Sequence, residues 1–137
     1  MEFRFEKELD EKYYKLLNEE FDKHAEKNGI SCEYKSFNFT ARDGEKVVGI
    51  LTGHSYYNEV HISDLIVLEE YRNQHIGMRL MQEVENYFKD SEYNLFTVNT
   101  FGFQAPEFYK KCGYSVDYVR ENENEPKLSK YFLVKRK

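Results

Sequence analysis

One strand–loop–helix unit constrains the fold of this chain more than any other feature. Val60–Leu68 is predicted to be a strand, apolar on both faces from Leu65 onward, as in strands buried within a sheet. From Ile76 the apolar side chains recur at helical spacing, so one face of a helix is apolar. The polar, charged run between these elements ends in a single glycine, Gly77. The pattern predicts a helix that begins between Gln74 and this glycine.

The predicted helix has no side-chain cap, because no Ser, Thr or Asp stands at its start. Its first free N–H groups therefore need an acceptor from elsewhere, either water or an anion. Phosphate is the usual anion at such a place, since the amides and the helix dipole both point toward it. A P-loop would need Gly-Lys-Ser/Thr at the turn and a dinucleotide fingerprint would need three glycines. The sequence excludes both nucleotide motifs and leaves water and phosphate as the alternatives.

The rest of the chain supplies the other elements of one α/β domain, predicted to span residues 1–137. Alternating patterns predict further strands, and helical spacing predicts a first helix and a short later one. The strands are predicted at residues 2–7, 37–41, 46–54, 60–68, 95–100, 114–120 and 128–135, and the other helices at 9–25 and 106–111. The order β-α-β-β-β-α-β-α-β-β indicates a mixed sheet of about seven strands with helices on its faces.

Composition and charge argue against several classes of protein. The net charge of −5 disfavours binding to a nucleic-acid backbone and mildly favours cationic small molecules or peptides. No apolar run approaches the length of a membrane span, and the charged N-terminus is unlike a signal peptide. Cys32 and Cys112 are therefore predicted to be reduced thiols in the cytoplasm. The scattered histidines and cysteines have no metal-binding spacing, so no metal is expected.

The loop before the predicted helix, Tyr71-Arg72-Asn73-Gln74-His75-Ile76-Gly77, resembles motif A of the GNAT superfamily of N-acetyltransferases. That motif has the form Gln/Arg-x-x-Gly-x-Gly/Ala at a strand-to-helix junction. Arg72 and Gly77 match it, whereas His75 stands where the first glycine belongs. The resemblance implies that backbone N–H groups of Gln74 to Met78 hold the pyrophosphate of coenzyme A. We expect the histidine to leave these donors intact, provided that its φ is negative.

A second segment, FQAPEFYKKCGY at residues 103–114, resembles motif B of the same superfamily, Ala-x-x-Phe-Tyr-x-Lys-x-Gly-Phe/Tyr. The matching residues are Ala105, Phe108, Tyr109, Lys111, Gly113 and Tyr114. Its FQAP-x-FY form is similar to that of a small bacterial subgroup. The two motifs are separated by a helix and one strand, as the superfamily requires. Where the superfamily often has an asparagine against the pantetheine arm, this chain has Gly102, so Asn99 is a candidate for that contact.

The resemblance implies a GNAT fold, mostly antiparallel and splayed at an acetyl-CoA cleft. The implied function is transfer of acetyl from acetyl-CoA, as cosubstrate, to a primary amine of a small molecule or peptide. The alternative is a GNAT-fold module that binds or senses acyl-CoA without turnover. The coenzyme-binding candidates are Leu65, Ile66, Val67, Arg72, Asn73, Gln74, His75, Ile76, Gly77, Met78, Asn99 and Phe108. The oligomeric state is left open, with a homodimer as one alternative.

Three residues are candidates for the acid–base chemistry that acetyl transfer to an amine needs. Tyr109 matches the tyrosine that protonates the departing thiolate in the superfamily, and its alternative explanation is a core aromatic. His61 and Asp64 lie on the strand before motif A, where the superfamily places a carboxylate or histidine base. Regular alternation sends these two side chains to opposite faces of the strand, unless a bulge intervenes. Cys112 is expected to be packed rather than nucleophilic.

The sequence does not identify the acceptor. Four glutamates near the expected acceptor side would attract polyamine-like or aminoglycoside-like cations, or a lysine-bearing peptide. They are Glu59, Glu121, Glu123 and Glu125. A solvated acidic loop is the alternative explanation.

Overall fold

Three helices and six strands follow one another in the computed structural model, which describes residues 1–31 and 33–137. The helices are α1 (Glu11–Lys27), α2 (Ile76–Phe88) and α3 (Pro106–Lys111). The strands are β1 (Lys35–Asp43), β2 (Lys46–Tyr56), β3 (Glu59–Val67), β4 (Leu95–Phe101), β5 (Ser115–Arg120) and β6 (Lys130–Arg136). Short 3-10 turns lie at Glu69–Tyr71 and Pro126–Leu128. The prediction of a reduced thiol at Cys32 falls outside the described residues.

The six strands form one sheet in the order β1-β2-β3-β4-β6-β5. All neighbouring strands are antiparallel except β3 and β4, which run parallel because α2 carries the chain back between them. The mixed, mostly antiparallel α/β fold is therefore confirmed. It has six strands over the described ranges instead of about seven.

The predicted first strand at residues 2–7 is wrong. Residues 1–10 form neither helix nor strand, and Phe3 and Phe5 are 87% and 91% exposed. Alternation shows only that two faces would differ, whereas a strand also needs a neighbouring strand to satisfy its backbone groups. No strand of the described sheet pairs with this segment, which leads instead into α1. The Asp10 carboxylate caps that helix by accepting from the Lys12 N–H at 3.1 Å.

The core lies on one side of the sheet, beneath α2. The apolar face of α2 is buried against the central strands, and the core side chains are less than a tenth exposed. They include Leu51, Val60, Ile62, Leu80, Met81, Val84, Phe88, Phe96, Val98 and Leu133. Removing this apolar area from water is the main force that holds the helix on the sheet. α3 packs on the same side, since Tyr109 belongs to this core and Phe108 packs against it.

β3 and β4 separate halfway along their length and leave a wedge between them. They pair from Glu59 with Leu95 to Ile62 with Val98, and no further. Beyond that point β3 stays with β2, and β4 stays with β6. The backbone of residues 63–67 therefore has unpaired groups on the wedge side, as an edge strand does. The splay that the resemblance implies is present at this wedge.

Candidate active site

The helix α2 begins from a left-handed residue. His75 precedes its first turn with a φ of 61°, and Asn73 in the same loop has a φ of 63°. The expectation of a negative φ at His75 is therefore wrong, because the loop turns sharply into the helix at this residue. A side chain in the left-handed region costs about 1–2 kcal/mol. This cost explains why the motif that the loop resembles has a glycine at this position.

The left-handed geometry nevertheless leaves the amides of residues 73–78 free. The His75 carbonyl accepts from the Arg79 N–H at 3.0 Å, which closes the first helical turn. Within residues 1–31 and 33–137, no protein group accepts from the amides of residues 73–78, and no side chain caps the helix. Free amides and the positive end of the helix dipole together form a site for an anion.

Side chains of the preceding loop hold this anion site against the sheet. The Tyr71 hydroxyl donates to the Asp43 carboxylate at 2.7 Å, at the hairpin between β1 and β2. The Nε of Arg72 donates to the Val67 carbonyl at 3.1 Å, at the end of β3. Each bond ties the loop to a strand that is already fixed in the sheet. The loop amides are therefore positioned before any ligand binds.

Packing leaves little room for a side chain at Gly77, whereas the backbone conformation there does not favour glycine. Its φ is not positive, and a Cβ atom there would lie 3.2 Å from Cζ of Phe108 and 3.8 Å from Cγ2 of Val67. The first distance is shorter than an ordinary van der Waals contact. A larger side chain would therefore push α3 away from the start of α2, whatever it did to a bound ligand.

A cavity of about 780 Å³ opens between the start of α2, the end of β3 and α3. Ten of the twelve coenzyme-binding candidates line it, together with Tyr109. The ten are Leu65, Ile66, Val67, Arg72, Asn73, His75, Ile76, Gly77, Met78 and Phe108. The other two do not line it. Gln74 lines a neighbouring groove beside β1, and Asn99 points away because its neighbours on β4 are buried on the helix side.

Five further residues line the cavity without having been predicted as coenzyme contacts. They are Tyr71, Phe103, Gln104, Ala105 and Lys111. Four of them belong to the motif B segment, and the fifth belongs to motif A. Their position was therefore implicit in the pairing of the two motifs, because α3 and α2 meet where the motifs lie.

Tyr109 is both a core aromatic and a lining residue of the cavity. Its side chain is buried, and burial raises the pKa of its hydroxyl to about 12, with smaller contributions from Cys112 and Asp64. The phenol therefore stays protonated throughout the physiological pH range. The two explanations that the sequence offers for this tyrosine do not exclude each other.

A β-bulge brings the two base candidates to one face of β3. Adjacent residues of β2 pair with Ile62 and with Asp64, so Ser63 is an extra residue in the ladder. The Thr52 hydroxyl donates to the Asp64 carboxylate at 2.8 Å, across the same strand pair. Regular alternation, which would send His61 and Asp64 to opposite faces, therefore does not apply here.

His61 is oriented by a hydrogen-bonded chain that runs through Thr97 to Glu59. The Thr97 hydroxyl donates to Glu59 Oε2 at 2.5 Å, so its single proton is used there. The Nδ1 atom of His61, 2.7 Å from the same hydroxyl oxygen, must therefore carry a proton and donate it. This arrangement selects the Nδ1–H tautomer and leaves Nε2 as a free base. The Tyr56 hydroxyl holds Glu59 in turn, at 3.1 Å.

The surroundings of His61 favour its neutral form. Burial lowers the pKa of His61, and the nearby His54 and Lys130 lower it further, against an opposing effect of Glu59. The ring centroids of the two histidines are 5.2 Å apart. A histidine that is neutral at neutral pH can accept a proton from a reacting group.

The other sequence candidates lie away from this chemistry. Burial raises the pKa of the Cys112 thiol to about 11, so this thiol is protonated and packed, in agreement with the prediction. Of the acidic residues, Glu59 lies beside His61, whereas Glu121, Glu123 and Glu125 are exposed. Among the described residues, no group of three His, Cys, Asp or Glu residues is placed to hold a metal ion. No helix in the described part of the chain has the length and apolar character needed to span a bilayer.

The chain is similar in sequence and fold to known acetyltransferases. A sequence model of the acetyltransferase (GNAT) family matches residues 3–114. None of the curated protein sequences matches the chain. Among solved structures, an acetyltransferase from Bacillus cereus is 27% identical, with 98% of each chain covered and a TM-score of 0.78.

Two further solved structures share the fold at lower identity. A protein of Agrobacterium tumefaciens assigned as an acetyltransferase is 21% identical over 100% of both chains, with a TM-score of 0.82. A GNAT family acetyltransferase from Elizabethkingia anophelis was solved with acetyl-CoA bound. It is 16% identical and has a TM-score of 0.65, over 74% of this chain and 76% of its own.

Proposed function

Because the chain belongs to the acetyltransferase (GNAT) family and is an acyltransferase of that type, we propose that it transfers acetyl from acetyl-CoA to a primary amine. The proposed acceptor is a small molecule or a peptide. The observation that carries the proposal is the wedge between β3 and β4. An anion site and a cavity lie on one side of this wedge, and the oriented base His61 lies on the other. A thioester in the wedge would be open to an amine from the opposite face of the sheet.

The residues along the cavity fit coenzyme A. The free amides of residues 73–78 would receive the pyrophosphate, and Arg72 and Lys111 would add positive charge at the same cavity. The unpaired backbone of residues 63–67 would pair with the amide groups of the pantetheine arm, as an added strand does. Because these contacts come from the backbone, the histidine at the first glycine position does not remove them. When bound, coenzyme A supplies the acetyl group as a thioester.

In the proposed reaction the amine nitrogen attacks the thioester carbon, a C–N bond replaces the C–S bond, and the sulfur leaves as a thiolate. The Nε2 atom of His61 accepts the proton that the amine nitrogen loses. Asp64, on the same face of β3, would attract the ammonium form of the acceptor, which loses one proton to solvent before the nitrogen attacks. The preference for cationic acceptors therefore rests on this carboxylate and on the net charge of −5.

The proposed role of Tyr109 is to stabilise the sulfur as the C–S bond breaks. A phenol with a pKa of about 12 is a weaker acid than an ordinary tyrosine, and a thiol titrates near ~8.5. Complete proton transfer to a free thiolate would therefore be unfavourable by roughly 3–4 pKa units. A hydrogen bond from the phenol to the developing negative charge on sulfur avoids that cost. The released thiolate then takes its proton from solvent.

A thiol-release screen tests this proposal. The protein is given acetyl-CoA and a panel of primary amines that includes polyamines, aminoglycosides and lysine-bearing peptides. We expect amine-dependent release of free thiol and an acetylated amine in the mass spectrum. Calorimetric binding of coenzyme A without thiol release for any amine would favour the sensing module. Absence of coenzyme A binding would remove the proposed site altogether.

A further inference from the structure

The helix α1 carries an apolar face that is uncovered over the described residues. Of its 17 residues only Ala25 is buried. The large apolar side chains on this face, and just before it, are between 42% and 59% exposed. They are Leu9, Tyr13, Tyr14, Leu16, Leu17 and Phe21. Soluble monomers rarely expose contiguous apolar patches larger than a few hundred Å², so this face is expected to have a partner.

The sheet also has an uncovered face, opposite α2 and α3, which we term the open face. Gly49 and Leu51 of β2 lie beneath α2, so the alternate residues of the same strand point away from it. The open face contains Ile50, Tyr56, Ile66, Phe101, Tyr118 and Phe132. Tyr118 is 60% exposed and Ile50 is 41% exposed. No described helix packs across this face.

We propose that α1 of a second copy of this chain lies across the open face. Two copies would then exchange their N-terminal arms, the segment that contains α1 (residues 1–31). Each copy supplies both halves of the contact, namely an amphipathic helix and an uncovered apolar sheet face. Tyr34, in the segment between α1 and β1, stacks on His54 with ring centroids 5.1 Å apart. The arm therefore leaves the sheet from the side of the open face.

The uncovered area is large enough for a stable dimer. Six large side chains that are about half exposed leave roughly 100 Å² each, since a buried aromatic side chain covers about 150–250 Å². Two reciprocal arms would contribute ~1,200 Å² before the sheet is counted. Specific interfaces bury about 1,200–2,000 Å² in total.

The alignment with solved structures also extends over the N-terminal segment that contains α1. Two structural relatives match 98% and 100% of this chain with TM-scores of 0.78 and 0.82, so their alignment includes the arm. The exchange also bears on the acceptor, and this point rests on the proposed function. The partner copy's helix would lie beside His54 and His61, where the amine is proposed to approach.

Sedimentation velocity on matched variants tests the exchange. The double variant Leu17→Gln/Phe21→Gln places two glutamines, one turn apart, on the apolar face of α1. The control Lys15→Gln/Glu19→Gln places two glutamines at the same spacing on the polar face, and both variants keep the net charge at −5. We expect the unmodified protein and the control to sediment at twice the 16.6 kDa of one chain. The apolar-face variant is expected to sediment as a monomer.

A third variant, Ile50→Gln, tests whether the open face is the surface that α1 covers. We expect it to be monomeric as well, and circular dichroism identifies the variants that remain folded. A monomeric unmodified protein would overturn the proposal, because α1 would then be free or folded onto its own sheet. A dimer that survives either Leu17→Gln/Phe21→Gln or Ile50→Gln would also overturn it. None of these outcomes depends on acetyl transfer, so this inference and the proposed function fail separately.

Discussion

The two faces of the sheet are built from different kinds of groups, although both border the wedge. On the covered face the ligand site comes from three short contiguous segments, residues 65–67, 71–78 and 103–111, and its anion donors are backbone amides. On the open face His61, Thr97 and Glu59 come from two separate strands and act through their side chains. Backbone donors survive a substitution that keeps the loop conformation, whereas a side-chain relay does not. Substitutions on the open face should therefore cost more activity than substitutions in the anion loop.

The largest expected effect is at His61, the proposed base of the open face. His61→Gln should lower kcat/KM about 10²–10⁴-fold while the KM for acetyl-CoA changes little, because only proton acceptance is removed. The pKa of His61 is lowered, chiefly by burial, so the base is lost only as pH falls below the usual histidine range near 6.5. In steady-state kinetics, kcat/KM of the unmodified protein should therefore decrease as the pH falls, and the variant should lack this decrease.

His54→Gln is the matched control, since it removes a histidine whose ring centroid is 5.2 Å from that of His61. It should leave most of the activity. The decrease of kcat/KM at acidic pH should also begin at a higher pH in this variant, because His54 helps to lower the pKa of His61. Identical pH profiles for the unmodified protein and His61→Gln would end the base assignment and favour Asp64.

A somewhat smaller effect is expected at Tyr109, the side chain on the covered face that is proposed to contact the leaving sulfur. Tyr109→Phe should lower kcat about 10²–10³-fold, the usual cost of removing one donor to a developing negative charge. Tyr114→Phe is the control, because the Tyr114 hydroxyl is buried and has no hydrogen-bond partner among the described residues. That control should keep full activity and at least the original stability. Full activity in Tyr109→Phe would leave this tyrosine as a packing residue only.

More of the site on the covered face than of the site on the open face could be predicted from the sequence. The helix start, the missing cap and both motif segments are contiguous in the chain, and ten of twelve coenzyme candidates do line one cavity. Two features of the backbone could not be predicted from the sequence. The left-handed φ of His75 is set by how the loop meets the sheet, and the bulge at Ser63 is set by the pairing register with β2.

The other differences between the sequence-based predictions and the structure arise from contacts between distant parts of the chain. Alternation at residues 2–7 carries no information about a neighbouring strand, so the predicted first strand failed. The contact between His61 and Thr97 joins residues 36 positions apart, and no local pattern indicates it. The amphipathic pattern of α1 predicts a helix correctly, but the pattern is the same whether the helix packs on its own sheet or on another copy.

Thr97→Val should have a smaller effect than loss of His61 itself. Valine keeps the shape of the side chain and removes the hydroxyl that accepts from His61 Nδ1. One hydrogen bond is worth about 0.5–1.5 kcal/mol, so kcat/KM should fall roughly 3- to 10-fold. The ¹⁵N shifts of the imidazole should show the Nδ1–H tautomer in the unmodified protein and a mixture in the variant. An Nε2–H tautomer in the unmodified protein would contradict the hydrogen-bonded chain from His61 through Thr97 to Glu59.

The smallest expected effect is at His75, in the anion loop of the covered face. His75→Gly should raise the free energy of unfolding by up to about 1 kcal/mol, because glycine adopts the left-handed conformation without a steric cost. Coenzyme A affinity should be unchanged, since the amides stay in place. Gln74→Gly is the control, and it should lose roughly 0.5–1 kcal/mol because its φ is not positive. A lower stability of His75→Gly in chemical denaturation would mean that the histidine side chain makes a contact that offsets its strain.

The central claim is that coenzyme A binds on the covered face and the amine approaches from the open face. Its most direct test is a coenzyme A titration of ¹⁵N-labelled protein followed by NMR. The amides of residues 73–78, and those of residues 63–67 that face the wedge, should shift as the coenzyme binds, because they are the free backbone donors beside the cavity and the wedge. The amide of Tyr118, on the edge strand β5 and away from the wedge, should stay unchanged. Shifts confined to the open face, with residues 73–78 unaffected, would contradict the placement of the coenzyme and with it the proposed route of the amine.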